Sequence, residues 1–478
     1  RRILLTLLKI INMHILSKST YIKGEQCPKS LYMYKKHPYL RDKLSIAQRA
    51  KFKRGTDVGV LARTYFPNGV NMTPASPSQF GKMFEQTMKN LNDPNINVMY
   101  EAIFIYNDTL IMLDILVRDG EKWRAIEVKS SLSLSDTYYK DAALQYYVLN
   151  GCKVPISDMQ LMYVNENYVK NGEIDINELF VFKSVKEYAE QQLDIIDENV
   201  NKFKDIVNLS NAPRVNIGTQ CFTPYKCEFL GHCWKKVEDN SFLHTTAFSD
   251  KDLFSLYNSG IQNNKGFKRF LDPLSTEMYQ LDALEQDTFY INYKKFYDLI
   301  GKRTESVAFL NILFYSPAVP LLDGHKPYQE IISAFSILSN ESGETTEWNC
   351  FDDYSKMEEG LKILTEELKR YEKVVYFSPQ NINLMMQRYN IIESKDVLFK
   401  IINLKDVLKN SDFFYKKTKY DFSLKTIYEG LFPSESIFEH SRIILNATSD
   451  NELERILVGQ DMEEENKYLQ KAYKFLLK

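Results

Sequence analysis

Three residues in one short stretch of the chain could together cleave a phosphodiester bond: Asp114, Glu127 and Lys129. Hydrolysis of that bond at neutral pH needs a divalent cation, which lowers the pKa of a bound water and balances the charge that builds on the phosphate. Magnesium-type cations prefer oxygen ligands, which carboxylates supply. An ammonium beside them can orient the attacking water or stabilise the developing negative charge. The alternative is an ordinary ion pair between Lys129 and one carboxylate at a strand end.

The elements around these residues favour the catalytic interpretation. β-type runs cover about 98–106, 110–117 and 123–129, and Asp119-Gly120 between the last two is a hairpin signal. If these strands pair, both carboxylates lie at the same level of neighbouring strands, and the lysine, two residues further on, points to the same side. A helix over about 136–150, a strand at about 160–164 and a long amphipathic helix around 185–208 follow. Helical patterning covers roughly 27–66 and 76–92 ahead of the strands. The pattern predicts an α/β domain with a mixed sheet and flanking helices.

This arrangement resembles the RecB-like branch of the PD-(D/E)xK nucleases, whose fold is restriction-endonuclease-like. Asp114 is similar to the aspartate of their second motif, and Glu127-Val128-Lys129 to their D/E-x-K motif. Gln145, on the following helix after Asp141, is similar to their glutamine motif. The resemblance implies catalytic roles for the residues Asp114, Glu127, Lys129 and Gln145. It also implies a Mg²⁺ or Mn²⁺ site at Asp114, Glu127 and Val128.

Two positions depart from that family pattern. Leu149 occupies the place of a tyrosine that usually follows the glutamine by four residues. Gly59 lies at about the place where many members carry a metal-binding histidine. The identity of the fourth metal ligand is therefore open. Glu101 is the candidate replacement for the histidine, and the alternative is that Glu101 is an ordinary exposed glutamate of a strand.

Four cysteines lie at the two ends of this same region: Cys27 near the start, then Cys221, Cys227 and Cys233 with five residues in each gap. Their spacing indicates metal ligation in a reducing compartment rather than a disulfide framework. It is similar to the iron–sulfur staple of AddB-like and CRISPR-associated RecB-like nucleases, although those usually space the last three as C-x2-C-x5-C. The resemblance implies a [4Fe–4S] cluster, and zinc remains the second option.

A basic stretch provides candidate contacts to nucleic acid. The net charge of −2 gives no overall signature, but residues 23–54 hold ten Lys or Arg against Glu25 and Asp42. Tyrosines interleave with these charges, which suits a phosphate backbone and unstacked bases. The alternative is a solvated lysine-rich face. The candidate nucleic-acid-binding residues are Lys35, Lys36, Arg54 and Tyr146.

The second half of the chain indicates an RNase H-like α/β domain, from its order of strand, strand, helix, strand and helix. It resembles the degenerate DEDD-exonuclease domain of an uncharacterised bacterial family in which a RecB-like nuclease precedes it. The D-x-E positions of its first strand hold Asn311 and Leu313, and the later acidic positions correspond to Phe377 or Asn381 and to Asn403. Neutral residues cannot hold a pair of hard dications, so this domain should lack hydrolytic activity.

The expected organisation is an N-terminal extension (1–17), the nuclease domain (18–236), a helical connector (237–305), the RNase H-like domain (306–445) and a C-terminal helix (446–478). The apolar segment at the start, interrupted by Lys9, reads as an extension ahead of a natural start at Met13. No segment approaches twenty uninterrupted apolar residues, so we expect a soluble, cytoplasmic protein without a membrane partner.

The expected function is metal-dependent cleavage of DNA, on single strands or ends, in repair or defence, with a possible helicase or defence-system partner. The alternative is an inactive nucleic-acid-binding or scaffold protein that retains the nuclease fold. RNA is a third substrate option.

Overall fold

The computed structural model describes residues 15–43, 55–246, 248–380, 382, 401–435 and 452–478, with side chains of the last segment from 461 onward. The chain divides into two compact units. The first unit comprises the described residues of Arg1–Trp234 and Pro317–Gln329, and the second those of Lys235–Ser316 and Glu330–Lys478. The sequence pattern did not indicate that the segment Pro317–Gln329 belongs with the first unit.

The first unit contains a seven-stranded mixed sheet within the described part of the chain. Its strands are β1 (Leu16–Ser17), β2 (Val70–Asn71), β3 (Val98–Tyr106), β4 (Thr109–Asp119), β5 (Lys122–Lys129), β6 (Ile156–Val164) and β7 (Phe180–Ser184). They are arranged in the order β2-β3-β4-β5-β6-β7, and β1 pairs with β4.

Helices cover the sheet of the first unit. They are α1 (Lys18–Gln26), α2 (Pro28–Lys36), α3 (55–62), α4 (Phe80–Leu91), α5 (Asp136–Gly151), α6 (Ile176–Leu179), α7 (Lys186–Gln191), α8 (Leu193–Asn208) and α9 (Leu230–Cys233). The middle of α5 is buried from Ala142 to Leu149 because this helix packs against the sheet on one side and other helices on the other. A helix that is apolar all round is typical of such a position.

β4 and β5 separate part-way along their length, and this separation creates the space for a site. Their antiparallel ladder begins at the Gly120 turn (φ 62) and ends at the pair Ile115–Ile126. At the far end of β4, Thr109 and Leu110 pair with β1. Because β3 pairs along the other edge of these same residues, β1 must lie on the edge that β5 has left. We call the point where β5 leaves β4, next to Asp114, the fork.

The second unit contains a five-stranded sheet in the described residues, built from β8 (Val307–Tyr315), β9 (Ile331–Ser339), β10 (Thr345–Asn349), β11 (Lys373–Tyr376) and β12 (Ile401–Asn403). The order is β10-β9-β8-β11-β12. The pairs β8–β9 and β9–β10 are antiparallel, whereas β11 pairs in parallel with both β8 and β12. Every residue of β9 is buried, as expected for a strand inside a covered sheet.

The helices of the second unit lie before, between and after these strands. They are α10 (Asp250–Asn258), α11 (Asn264–Phe267), α12 (Thr276–Glu285), α13 (Tyr293–Ile300), α14 (Met357–Lys369), α15 (Leu404–Asn410), α16 (Leu424–Leu431) and α17 (Glu452–Leu476). None of the helices in the described residues combines the length and apolarity needed to cross a bilayer.

The prediction of an α/β chain with mixed sheets is confirmed. The single long helix predicted around 185–208 is two helices, α7 and α8. The predicted helical run over 27–66 is wrong over 37–43, where a short 3₁₀ turn, Pro38–Leu40, follows α2. Leu16 and Ser17, which the pattern assigned to the extension, form β1. The pattern also missed the short strands β7 and β10.

Candidate active site

Three carboxylates occupy matching levels of β3, β4 and β5. The register of β4 and β5 places Asp114 across from Glu127 at the fork, and the register of β3 and β4 places Glu101 across from Asp114. Glu127 is buried, with 2% of its side chain exposed. A buried carboxylate without partners costs several kcal/mol, so its partners decide the chemistry of the site.

Glu127 is held by three donors from three different elements. Its Oε1 accepts hydrogen bonds from Lys18 Nζ at 2.5 Å and from Lys129 Nζ at 2.8 Å. Its Oε2 accepts one from Gln145 Nε2 at 2.7 Å. Burial acts to raise the pKa of Glu127, but the Lys129 and Lys18 ammonium groups outweigh it and hold that pKa below its usual range. Glu127 is therefore a carboxylate at neutral pH.

Asp114 bridges the fork through its side chain. The Val128 amide donates a hydrogen bond to Asp114 Oδ2 at 2.7 Å, beyond the last backbone pair of the β4–β5 ladder. Burial, and then the negative charge of Glu127, raise the pKa of Asp114 to about 8, against the opposing effect of Lys18. The two carboxyl groups thus differ, because their surroundings raise the pKa of Asp114 and lower that of Glu127.

Lys129 lies between Glu127 and α5. Its ammonium contacts Asp141 Oδ2 at 2.7 Å in addition to Glu127, and it lies 4.8 Å from the centre of the Tyr138 ring. Burial acts to lower the pKa of Lys129, but Glu127 and Asp141 outweigh it and raise that pKa. Lys129 is therefore a fixed positive charge rather than a proton carrier at neutral pH.

Gln145 is fully buried in the middle of α5. Its amide nitrogen donates to Glu127, but its Oε1 has no hydrogen-bond partner among the described residues. A buried acceptor without a hydrogen-bond partner lowers the stability of the fold unless a water molecule or another ligand binds to it.

Glu101 departs from ordinary strand geometry. Its φ of 53 lies in the left-handed region, where a glutamate in a β-strand is strained by about 1–3 kcal/mol. Arg63 Nη2 donates to Glu101 Oε1 at 2.7 Å. Burial raises the pKa of Glu101, and Arg63 opposes this effect. The structure therefore gives this carboxylate a cationic partner and a backbone conformation that is unusual for a strand residue.

The oxygen atoms at the fork could act as ligands for a hard cation. Among the described residues no set of three or more His, Cys, Asp or Glu side chains has the geometry of a metal site. Magnesium, however, is commonly bound through one or two carboxylates, with waters and substrate phosphates completing its shell. Asp114, Glu127 and the orphaned Gln145 oxygen are donors of this kind, so the residues fit such a cation.

The four predicted cysteine ligands line one cavity. Cys27, at the junction of α1 and α2, and Cys221, Cys227 and Cys233 surround it together with apolar side chains such as Phe229 and Leu230. All four are free thiols, and Cys227 Sγ donates a weak hydrogen bond to Ser30 Oγ at 3.6 Å. Burial raises the pKa of Cys27 and of Cys233.

Polar contacts fasten the cysteine-bearing segment to α1, α2 and the loop after them. Gln26 Nε2 donates to the carbonyls of Gln220 and Tyr225 at 2.8 and 2.6 Å. Glu228 forms ion pairs with Lys23 and with Arg41. These contacts bring residues 23–41 and 220–228 together beside the thiols.

The candidate nucleic-acid-binding residues lie in different environments. Lys35 and Lys36 occupy the last turn of α2, where Lys36 is exposed, and burial lowers the pKa of Lys35. Arg54 lies outside the described residues. Tyr146 is 7% exposed, belongs to the core beneath α5, and donates to Glu190 Oε1 at 2.9 Å. Its ring is therefore engaged in packing.

The sequence pattern missed Lys18 and Arg63, which contact Glu127 and Glu101. Both come from distant segments, and Lys18 lies 109 residues before its partner in the chain. No local spacing signals such a pair.

Neither protein-family models nor curated proteins give a match to this chain.

Proposed function

We propose that the first unit is a metal-dependent nuclease with a restriction-endonuclease-like fold. The observation that carries this proposal is the meeting of Asp114 and Glu127 at the fork, with the Lys129 ammonium 2.8 Å from Glu127. Two carboxylates and an ammonium on one side of two strands are what cation-assisted hydrolysis of a phosphodiester requires.

Each residue then has a distinct task. Asp114 and Glu127 would hold a Mg²⁺ or Mn²⁺ ion, which supplies an activated water and balances charge on the phosphate. Lys129, fixed by Asp141, presents a permanent positive charge to the attacking water or the developing oxyanion. Gln145 holds Glu127 Oε2 through its amide and leaves its carbonyl oxygen as an acceptor for water.

A structural [4Fe–4S] cluster in the cysteine cavity is part of the proposal. Four thiols line one cavity, and four thiolates satisfy a cubane cluster. Zinc is the alternative because four thiolates suit it too, although zinc sites favour two close pairs of cysteines along the sequence. It would stabilise the unit by tying Cys27 to a segment about 200 residues away, much as a cross-link closes a long loop.

We propose that the second unit has an RNase H-like fold without hydrolytic activity. The central strand β8 pairs antiparallel with β9 and parallel with β11, and this arrangement supports an RNase H-like fold. Asn311 donates to Glu465 Oε2 at 2.8 Å, and Asn403 caps α15 by accepting from the Lys405 amide. Leu313 packs beside Ala334 and Met462. Asn381 lies outside the described residues. Asn311, Leu313 and Asn403 therefore have structural partners, and neutral side chains cannot hold dications.

Cleavage of labelled DNA tests the proposal. The full chain is incubated with single-stranded DNA, double-stranded DNA and RNA, with Mg²⁺, Mn²⁺ or EDTA. The wild type should cleave DNA only with metal, Asp114→Ala should abolish all cleavage, and Asp119→Ala, at the exposed end of the same strand, should not. Residual cleavage by Asp114→Ala would place activity in a second site.

A specific observation favours one second candidate, an inactive nucleic-acid-binding protein. Both oxygens of Glu127 already accept hydrogen bonds from protein donors. If these bonds persist in the presence of metal, the fork is a buried ion-pair network rather than an active site. Binding of DNA without cleavage in the assay above would select this candidate.

A further inference from the structure

Lys18 contacts the buried Glu127 carboxylate although it lies 109 residues earlier in the chain. β1 pairs with β4 at Thr109 and Leu110, on the edge that β5 has left, and α1 begins at Lys18, directly after β1. The Ser17 amide donates to Thr20 Oγ1 at 2.7 Å, which fixes this first turn. Leu16 and Tyr21 are buried on either side of Lys18 in the chain. The backbone that carries the Lys18 side chain is therefore anchored to the same strand that carries Asp114.

The Lys18 ammonium lies among the carboxylates of the fork. It lies 2.5 Å from Glu127 Oε1 and interacts electrostatically with Asp114, Asp141 and Glu101 as well. Lys129 already neutralises Glu127 and is tied to Asp141. Lys18 is thus a second positive charge on one carboxylate, and 31% of its side chain is exposed, compared with 12% for Lys129. Of the two lysines that contact Glu127, Lys18 is therefore the one with the more exposed side chain.

We propose that Lys18 is an internal counter-ion which a divalent cation displaces from Glu127, and that the displaced ammonium then binds the substrate phosphate. This inference rests on the proposed function and names a further substrate-binding residue for it. A cation at Asp114 and Glu127 takes up lone pairs of Glu127 and repels the neighbouring ammonium. A lysine that loses its carboxylate partner needs another anion, and a phosphate bound to the cation brings one to the same place.

Replacement of Lys18 by a neutral residue should raise the affinity for Mn²⁺ and lower the rate of DNA cleavage. Lys18→Met retains most of the side-chain volume and removes the charge. The full-length apoprotein should then bind Mn²⁺ more tightly, on the order of tenfold, because no ammonium competes for Glu127. At saturating Mn²⁺ the same variant should cleave DNA more slowly, on the order of tenfold or more, because the phosphate loses a cationic partner.

Mn²⁺ binding by titration calorimetry, together with cleavage at saturating Mn²⁺, measures both effects. Lys18→Gln serves as a second neutral variant, and thermal unfolding verifies that each variant is folded. Lys18→Arg should keep Mn²⁺ affinity near that of the wild type. Lys23→Met is the matched control, since it removes an ion pair with Glu228 from the same helix without involving Glu127.

The proposal is overturned if the folded neutral variants bind Mn²⁺ no more tightly than the wild type. It is equally overturned if they bind more tightly and cleave at the wild-type rate at saturating Mn²⁺. A different result, in which the wild type neither binds Mn²⁺ nor cleaves, rejects the proposed function itself. The two failures are therefore distinguishable.

Discussion

The Val128 amide donates to Asp114 Oδ2 at 2.7 Å across the point where β4 and β5 part. Because the backbone ladder has ended there, the side chain of Asp114 supplies the acceptor that the backbone of β5 has lost. The bond fixes Asp114 beside Glu127, even though both are acidic. The two carboxylates therefore lie at the point where the two strands separate.

Substitution of Asp114 should change the pH dependence of stability. The pKa of this carboxyl is about 8 in the folded protein and near 3.8 in an unfolded chain, so folding takes up a proton between these values. The contribution of Asp114 to stability therefore falls as pH rises through this range. Asp114→Asn removes that loss and keeps an acceptor for the Val128 amide.

In the presence of EDTA, the melting temperature of Asp114→Asn minus that of the wild type should increase as pH is raised from 5 to 8.5. Thermal unfolding followed by circular dichroism measures it, with Asp119→Asn as the control at the exposed end of β4. A difference that does not vary with pH would show that Asp114 is ionised in the metal-free protein throughout this range.

Removal of the Lys129 charge should slow cleavage without preventing metal binding. Lys129→Met leaves the oxygen ligands of Asp114 and Glu127 in place but deletes the cation fixed by Asp141. We expect the cleavage rate at saturating metal to fall on the order of 100-fold. Lys122→Met, at the exposed start of the same strand, is the control. Equal rates for the two variants would exclude Lys129 from the reaction.

The cysteine cavity should hold iron and sulfide when the protein is purified anaerobically. We expect a brown protein with broad visible absorbance and about four irons per chain. Cys227→Ser should lose this absorbance and lower the melting temperature, whereas Cys152→Ser should do neither, because Cys152 lies outside the cavity and bonds to the Ile105 carbonyl. A colourless wild type containing one zinc would support the alternative metal.

The helix that carries Lys18 should be sensitive to added volume at Gly24. A Cβ placed there meets the Phe203 ring at 2.8 Å, so Gly24→Ala must displace α1 or the ring. We expect a loss of about 1–3 kcal/mol in the free energy of unfolding. Gly59→Ala, where a Cβ meets nothing within 4 Å, should be neutral or stabilising. Denaturant unfolding compares them, and equal stability of the two variants would contradict the packing at Gly24.

Local sequence patterns could predict the hairpin and its paired carboxylates. Asp119-Gly120 is a turn signal, and once it pairs β4 with β5, strand periodicity alone brings Asp114, Glu127 and Lys129 to one side. Gln145 follows on a helix whose start and end are marked in the sequence. These features depend on residues within about thirty positions of each other.

The partners from distant segments could not be predicted in this way. Lys18 reaches Glu127 because the two-residue strand β1 pairs with β4, and two residues carry no detectable alternation. Arg63 reaches Glu101 from 38 residues earlier in the chain, and no strand pattern indicates the positive φ of Glu101. Such contacts follow from tertiary packing, and the packing of Pro317–Gln329 with the first unit is a further example.

Metal-dependent cleavage by Glu127→Gln and Glu121→Gln tests the central claim most directly. Both substitutions neutralise a glutamate of the same hairpin, but Glu121 is exposed in the turn region and Glu127 is buried at the fork. With DNA and saturating Mn²⁺, Glu121→Gln should cleave like the wild type, and Glu127→Gln should lose activity by at least about 100-fold. Cleavage by Glu127→Gln at the wild-type rate would contradict a cation-assisted active site at the fork.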